Sequence, residues 1–119
     1  MTNLSGRRVL VVEDEALIAM MAEDYLVELG ATIVGPATSI ETALSLIESE
    51  QIDAAVLDLN IRGSRSDSVA DALRQKGIPL VCATGYGDGA TDFARGSPII
   101  AKPYSKEKLD QSLQSVLSL

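Results

Sequence analysis

Arg8-Val9-Leu10-Val11-Val12-Glu13-Asp14-Glu15 and Asp53-Ala54-Ala55-Val56-Leu57-Asp58 are the two stretches from which the architecture follows. Each is an apolar run of strand length with no polar interruption, followed at once by carboxylates. A strand with one wet face alternates apolar and polar residues, whereas a run that is apolar throughout needs cover on both faces. Both stretches therefore read as central strands of a parallel sheet sandwiched between helices. The residues around them supply those helices. Glu15 to Leu29 carries Ile18, Met21, Tyr25 and Leu29 on one stripe, and Gly30 stops it. Thr32 to Val34 reads as a second strand closed by Gly35-Pro36. Ser39 is placed as the N-cap of a helix with Ile40, Ala43, Leu44 and Ile47 inward. After the third strand, Asp53 to Leu57, a polar loop from Arg62 to Ser66 leads into a helix near Asp67 to Lys76. That helix turns Val69, Ala70 and Leu73 inward, and Gly77 ends it. Pro79 to Ala83 and Ile99 to Ala101 read as the fourth and fifth strands. Ser105 caps a last helix whose inner face is Leu109, Leu113, Val116 and Leu117. Strands alternating with helices of this size predict a doubly wound α/β domain.

Composition narrows the function. The chain has 119 residues, which suits a single domain and one continuous core, with no output domain expected after Leu119. Aromatic residues are scarce, so aliphatic side chains must fill the interior. No apolar stretch approaches the length of a membrane span and Met1 to Arg8 lacks a signal-peptide core, so a cytoplasmic protein is expected. The net charge of -7, with no long basic run, argues against nucleic acid or a membrane as a direct partner. The single cysteine, Cys82, lies inside an apolar run and is read as a small buried hydrophobe. There is no histidine, so any histidine-based step has to take place on another protein.

Four polar signals follow apolar runs directly: Glu13-Asp14, Asp58, Thr84 and Lys102-Pro103. Strands of a parallel sheet end on one common edge, where loops converge and ligands bind. Carboxylates, a hydroxyl and an ammonium on one edge make a site for Mg²⁺ (or Mn²⁺) and a phosphoryl group. Each signal also has an ordinary reading. Glu13, Asp14 and Glu15 suit a helix N-terminus through its dipole. Asp58 alone would be a loop carboxylate, Thr84 a turn hydroxyl and Lys102 a solvated charge. Their joint placement at strand ends is what favours the phosphoryl site. Lys106 and Lys108 are read as solvated.

In this order and at these intervals, the five residues Glu13, Asp14, Asp58, Thr84 and Lys102, with Pro103, resemble the signature of two-component response regulator receiver domains, over essentially the whole chain. The resemblance implies a flavodoxin-like five-stranded parallel sheet of order 2-1-3-4-5. It implies that Asp58 accepts the phosphoryl group as an aspartyl phosphate. It further implies that Asp14, Asp58 and the backbone carbonyl of Asn60 bind the metal, with Glu13 acting directly or through water. Lys102 would pair with one phosphoryl oxygen and the Thr84 hydroxyl with another. The Lys102–Pro103 bond resembles the family's cis peptide, which aims the lysine inward. Asn60 and Tyr86 occupy positions that tune self-dephosphorylation in the family.

The stretch Pro79-Leu80-Val81-Cys82-Ala83-Thr84-Gly85-Tyr86-Gly87 is similar to the signature of the FAT GUY class of receivers, with Cys82 where that class usually has phenylalanine. Gly85, Gly87, Gly89, Gly96 and Pro98 lie between Thr84 and Ile99, and each internal glycine costs a helix roughly 1 kcal/mol relative to alanine. A short or absent fourth helix is expected there, a loop with one or two turns around Ala90 to Arg95. Ordinary receivers carry an aromatic switch residue three positions before the lysine, and here that position is Ile99. Tyr86 is then the aromatic expected to move when phosphorylation draws Thr84 toward Asp58.

Together these readings describe a receiver that takes its phosphoryl group from a histidine kinase or histidine phosphotransfer protein and signals to a downstream protein effector by contact, as a monomer or weak homodimer. Two rivals stand beside it. A pseudo-receiver would bind partners without phosphorylation. A Mg²⁺-dependent phosphatase enzyme would need a second aspartate where Asn60 stands. A flavin-binding flavodoxin fits less well, since the Val12 to Glu15 turn offers carboxylates where a flavin phosphate needs donors.

Overall fold

The structure, a computed structural model, describes residues 4–85 and 94–117. Its five-stranded parallel sheet is formed by β1 (Arg8–Val12), β2 (Thr32–Ala37), β3 (Ala54–Asp58), β6 (Leu80–Thr84) and β7 (Ile99–Ala101), in the order β2-β1-β3-β6-β7. Two short strands, β4 (Asn60–Ile61) and β5 (Ser64–Arg65), pair with each other in a separate ladder. Counting the main sheet alone, its order is the expected 2-1-3-4-5 of a flavodoxin-like sheet. Four helices lie among the described residues: α1 (Ala16–Glu28), α2 (Ile40–Ser49), α3 (Asp67–Gln75) and α4 (Lys106–Leu117). Most of the stretch expected to hold a short or absent helix, residues 86–93, lies outside the described residues, and Tyr86 lies there too.

The uninterrupted apolar runs are divided by the pleat into two cores. Leu10, Val12, Ala55 and Leu57 point to one face, where Ala43 and Ile47 of α2 and Val69, Ala70 and Leu73 of α3 cover them. Val9, Val11, Ala54 and Val56 point to the other, under Ala22 and Leu26 of α1 and Leu109, Leu113 and Leu117 of α4. Cys82 is buried in the first core, and burial pushes its thiol up to about 11, with Arg74 opposing weakly. It is therefore an apolar filler rather than a nucleophile.

Three local expectations need correction. On α1 the deepest residues are Ala19, Ala22 and Leu26, while Ile18, Met21, Tyr25 and Leu29 flank them half-buried. Small alanines let the helix sit close to the sheet, so the larger side chains reach around the contact instead of filling it. Strand β2 does not close at Gly35-Pro36. It runs on to Ala37 through a cis Gly35–Pro36 bond, its register shifting so that Val12 pairs with Ala37. Glycine is required at position 35, where φ is 93° and an added Cβ would lie 2.7 Å from the Ala37 nitrogen. The stretch from Arg62 to Ser66 is not a plain loop either. Asn60 pairs with Arg65 and Ile61 with Ser64 across a two-residue turn whose central residues, Arg62 and Gly63, have φ of 53° and 82°. Two successive positive φ values define the type I′ hairpin turn.

The helix caps follow sequence chemistry. The Ser39 hydroxyl accepts from the Thr42 amide at 3.1 Å, and the Ser105 hydroxyl accepts from the Lys108 amide at 3.1 Å. Gly30 and Gly77 take the left-handed conformation that ends α1 and α3, with φ of 86° and 71°.

Candidate functional site

The carboxyl ends of β1, β3, β6 and β7 meet at one edge of the sheet. Register brings them there: Val12 pairs with Leu57, Asp58 with Ala83, and Thr84 with Ala101, so the residues that follow each strand share one level. Glu13, Asp14, Asp58, Thr84 and Lys102 therefore converge although 89 positions separate Glu13 from Lys102. Oxygens of Glu13, Asp14 and Asp58 all lie within 4.8 Å of one another. A cavity of about 640 Å³ opens beside them, lined by Asp14, Glu15, Asp58, Asn60, Thr84 and Lys102 among others.

Glu13 and Asp58 are each only 2% exposed, and two buried anions need compensation. Lys102 supplies it. Its ammonium donates to Asp58 Oδ2 at 2.9 Å, to both Glu13 oxygens at 3.2 Å and to Glu15 Oε1 at 2.6 Å. A bond across the outer strands, from the Lys102 amide to the Thr84 carbonyl at 2.9 Å, fixes the stem of this side chain, and a cis Lys102–Pro103 peptide follows it. Lys102 is thus a buried counter-ion, not a solvated charge: its side chain is 8% exposed. Burial pushes the ammonium down, but the bonds to Asp58 and Glu15 outweigh it and hold Lys102 above the ordinary lysine range.

Glu13 does two things at once. One oxygen accepts from the Glu15 amide at 3.0 Å, capping α1, and both receive Lys102. Glu13 thus meets both the chain entering α1 and the Lys102 ammonium. Burial pushes its carboxyl up to about 7; the Glu15 amide opposes that shift, the neighbouring Asp58 adds to it and Lys102 opposes it least. Asp14 is half-buried and faces the cavity, and its Oδ2 accepts from the Arg62 amide at 2.9 Å. Asp58 Oδ1 accepts from the Asn60 amide at 3.2 Å. Thr84 is 6% exposed at the end of β6 and lines the cavity, as does Pro103.

Sequence reasoning missed four contributors. Glu15 pairs with Lys102. Ser66 is fully buried; its hydroxyl donates to the Asp58 carbonyl at 2.5 Å, pinning the chain beyond the strand. Arg62 anchors the hairpin to both Asp14 and, through Nε at 2.9 Å, the Thr38 carbonyl. Tyr104 is 5% exposed beside the site, and burial together with Glu13 raises its phenol above the ordinary range. Of these only Arg62 carried a readable signal, as the residue before Gly63 in a two-residue turn. Ile99, by contrast, is 40% exposed on the outer strand β7.

An all-oxygen donor set of three carboxylates fits a hard divalent cation such as Mg²⁺ or Mn²⁺ and suits softer metals poorly. The same set with one ammonium and one hydroxyl beside a cavity can surround a phosphoryl group.

The chain is similar to known proteins in sequence and in fold. The sequence profile of response regulator receiver domains matches residues 9–114. The chain is 41% identical to SdrG from Sphingomonas melonis Fr1, covering 98% of this chain and 99% of that one, with a TM-score of 0.84. Against the BeF3-activated conformation of SdrG, from Pseudomonas melonis Fr1, the values are 40% identity, 95% and 98% coverage and a TM-score of 0.79. The transcriptional regulatory protein PdtaR of Mycobacterium tuberculosis is 31% identical over 94% of this chain and 57% of its own length. The chain spans about half the length of the curated relatives it matches.

Proposed function

We propose a function from one premise: the chain belongs to the response regulator receiver domain family, a module of two-component signalling. On that premise Asp58 accepts a phosphoryl group from a histidine kinase or histidine phosphotransfer protein, and the phosphorylated state is passed on through contact with a downstream protein effector. The observation that carries this reading is the position of the Lys102 ammonium, 2.9 Å from Asp58 Oδ2 in a cavity that Thr84 also lines.

The residues divide the work. Asp58 is the nucleophile: one carboxylate oxygen attacks phosphorus while the bond to the donor breaks, so no proton need move from Asp58. The Asn60 amide and the Ser66 hydroxyl hold the nucleophile and its backbone in place. Lys102 neutralises charge on the transferring oxygens, and the Thr84 hydroxyl reaches one of them. Asp14, Asp58 and the Asn60 carbonyl would hold Mg²⁺, with Glu13 acting directly or through water. When bound, the cation supplies charge compensation for the carboxylates and the phosphoryl oxygens. Three carboxylates this close repel one another by several kcal/mol at an intermediate dielectric, roughly 4 kcal/mol for unit charges 4 Å apart.

Exposure to a small acyl phosphate with Mg²⁺, followed by intact-mass measurement, tests the reading. Wild type gains one phosphoryl group and Asp58→Asn gains none. Absence of an Asp58-dependent adduct would leave the pseudo-receiver as the better account.

A further inference from the structure

We infer that Glu15 is a positioning residue for the reaction at Asp58, holding in the resting site the Lys102 ammonium that a phosphoryl oxygen must capture. The inference rests on the reading of Asp58 as phosphoacceptor. An ammonium has three N–H donors. In the resting structure four carboxylate oxygens draw on them, at 2.6 Å from Glu15, 2.9 Å from Asp58 and 3.2 Å from each oxygen of Glu13. Every donor is engaged, so an arriving phosphoryl oxygen has to displace one of these partners.

Burial decides which partner leaves. The carboxylates of Glu13 and Asp58 are each 3% exposed at the side chain and have little water to turn to, whereas the Glu15 side chain is 62% exposed. Releasing Glu15 exchanges one charged hydrogen bond for hydration of an already exposed carboxylate, a smaller cost than releasing either buried carboxylate. Glu15 also lines the cavity through which a donor would enter. No helix cap holds its carboxylate back. Although Glu15 occupies the N-cap position of α1, its side chain makes no cap bond, and its amide donates to the Glu13 carboxylate. The shortest contact of Lys102 is therefore the one most cheaply given up. While it lasts, it draws the ammonium toward α1 and sets a negative charge in the path of an anionic donor. Both effects slow transfer. In the transfer itself an Asp58 oxygen forms the bond to phosphorus, the donor's P–O bond breaks, and its electron pair leaves on the acyl carboxylate.

The test follows adduct formation by intact mass against the concentration of a small acyl phosphate, at fixed ionic strength and saturating Mg²⁺. Glu15→Gln raises the second-order rate by roughly threefold, the scale of an ion pair whose carboxylate is exposed. Glu15→Asp, which keeps the charge, returns the rate toward wild type. Glu23→Gln, which removes a carboxylate about two turns further along α1, leaves it unchanged. An equal or slower rate in Glu15→Gln overturns the inference, as does an equal gain in Glu23→Gln, which would assign the effect to net charge. The side-chain ammonium resonance of Lys102 reports the pair in the resting protein without any transfer. It shifts in Glu15→Gln if the pair exists, and no shift rejects the pair. A wild type that forms no Asp58-dependent adduct while this resonance does shift rejects the phosphoacceptor reading, and the kinetic role of Glu15 with it, and leaves only the ion pair.

Discussion

Strands β1 and β3 each lead from one region into another of opposite physics. Along Val9 to Val12 and Ala54 to Leu57 every side chain is buried among aliphatic neighbours. One residue further on, Glu13 and Asp58 are buried to the same degree but carry carboxylates whose charge must be met by Lys102. The strand interior gains stability from burial, whereas the strand end gives some of it up to a charged cluster whose net contribution is small or negative. The rigid interior is what holds the costly end in register.

Substitutions in the two regions separate these contributions. Leu57→Ala, in the fully buried interior, lowers unfolding free energy by about 2–5 kcal/mol. Urea denaturation should give the same loss with and without Mg²⁺; a loss that depends on the cation would undo the contrast. Lys102→Met leaves the buried Glu13 and Asp58 without their counter-ion and costs about 3 kcal/mol in the absence of divalent cations. Here Mg²⁺ should restore part of the stability, since a bound cation supplies the missing charge.

The pH dependence probes the same contrast more finely. The folded-state value of Glu13 is raised from 4.5 to about 7, so between those values the folded protein binds more protons than the unfolded chain. The stability this group contributes is thus fully present below about 4.5 and is lost as pH rises through about 7. In EDTA, wild type therefore loses this contribution as the pH is raised through that window, and Glu13→Gln removes that part of the slope. An unchanged slope in Glu13→Gln would assign the dependence elsewhere. The smallest effect is expected at Asp14, half-buried and facing the cavity. Asp14→Asn relieves repulsion while its oxygen still accepts from the Arg62 amide, raising metal-free stability by about 1 kcal/mol. The same substitution abolishes the increase in thermal midpoint on adding Mg²⁺; a retained increase would remove Asp14 from the cation site.

The sheet and its helices were legible because strand and helix periods differ and because a run such as Val9 to Val12 is apolar at every position. The ends of the elements were legible where one residue type does one thing, as Ser39 and Ser105 do at caps and Gly30 and Gly77 at helix ends. The residues at the sheet edge were legible as polar signals directly after apolar runs, whereas the order of strands came from the family resemblance and is the order of the main sheet. What escaped depended on packing between distant segments. The inner line of α1 runs through Ala19 and Ala22, small residues that carry a weak periodic signal but allow close approach. The β4–β5 hairpin puts Arg62 in a conformation that disfavours side chains, held there by Asp14 and Thr38, which lie on other loops.

Local order and composition alone thus specify the alternation of strands and helices, the all-aliphatic interior and the chemical types available at strand ends. Folding adds what no local pattern holds: Glu15 shares Lys102 with Glu13 and Asp58, Ser66 pins the Asp58 carbonyl, and Glu13 caps a helix while being buried. Those contacts depend on distance and access to water, which parallel register sets between residues as many as 89 positions apart.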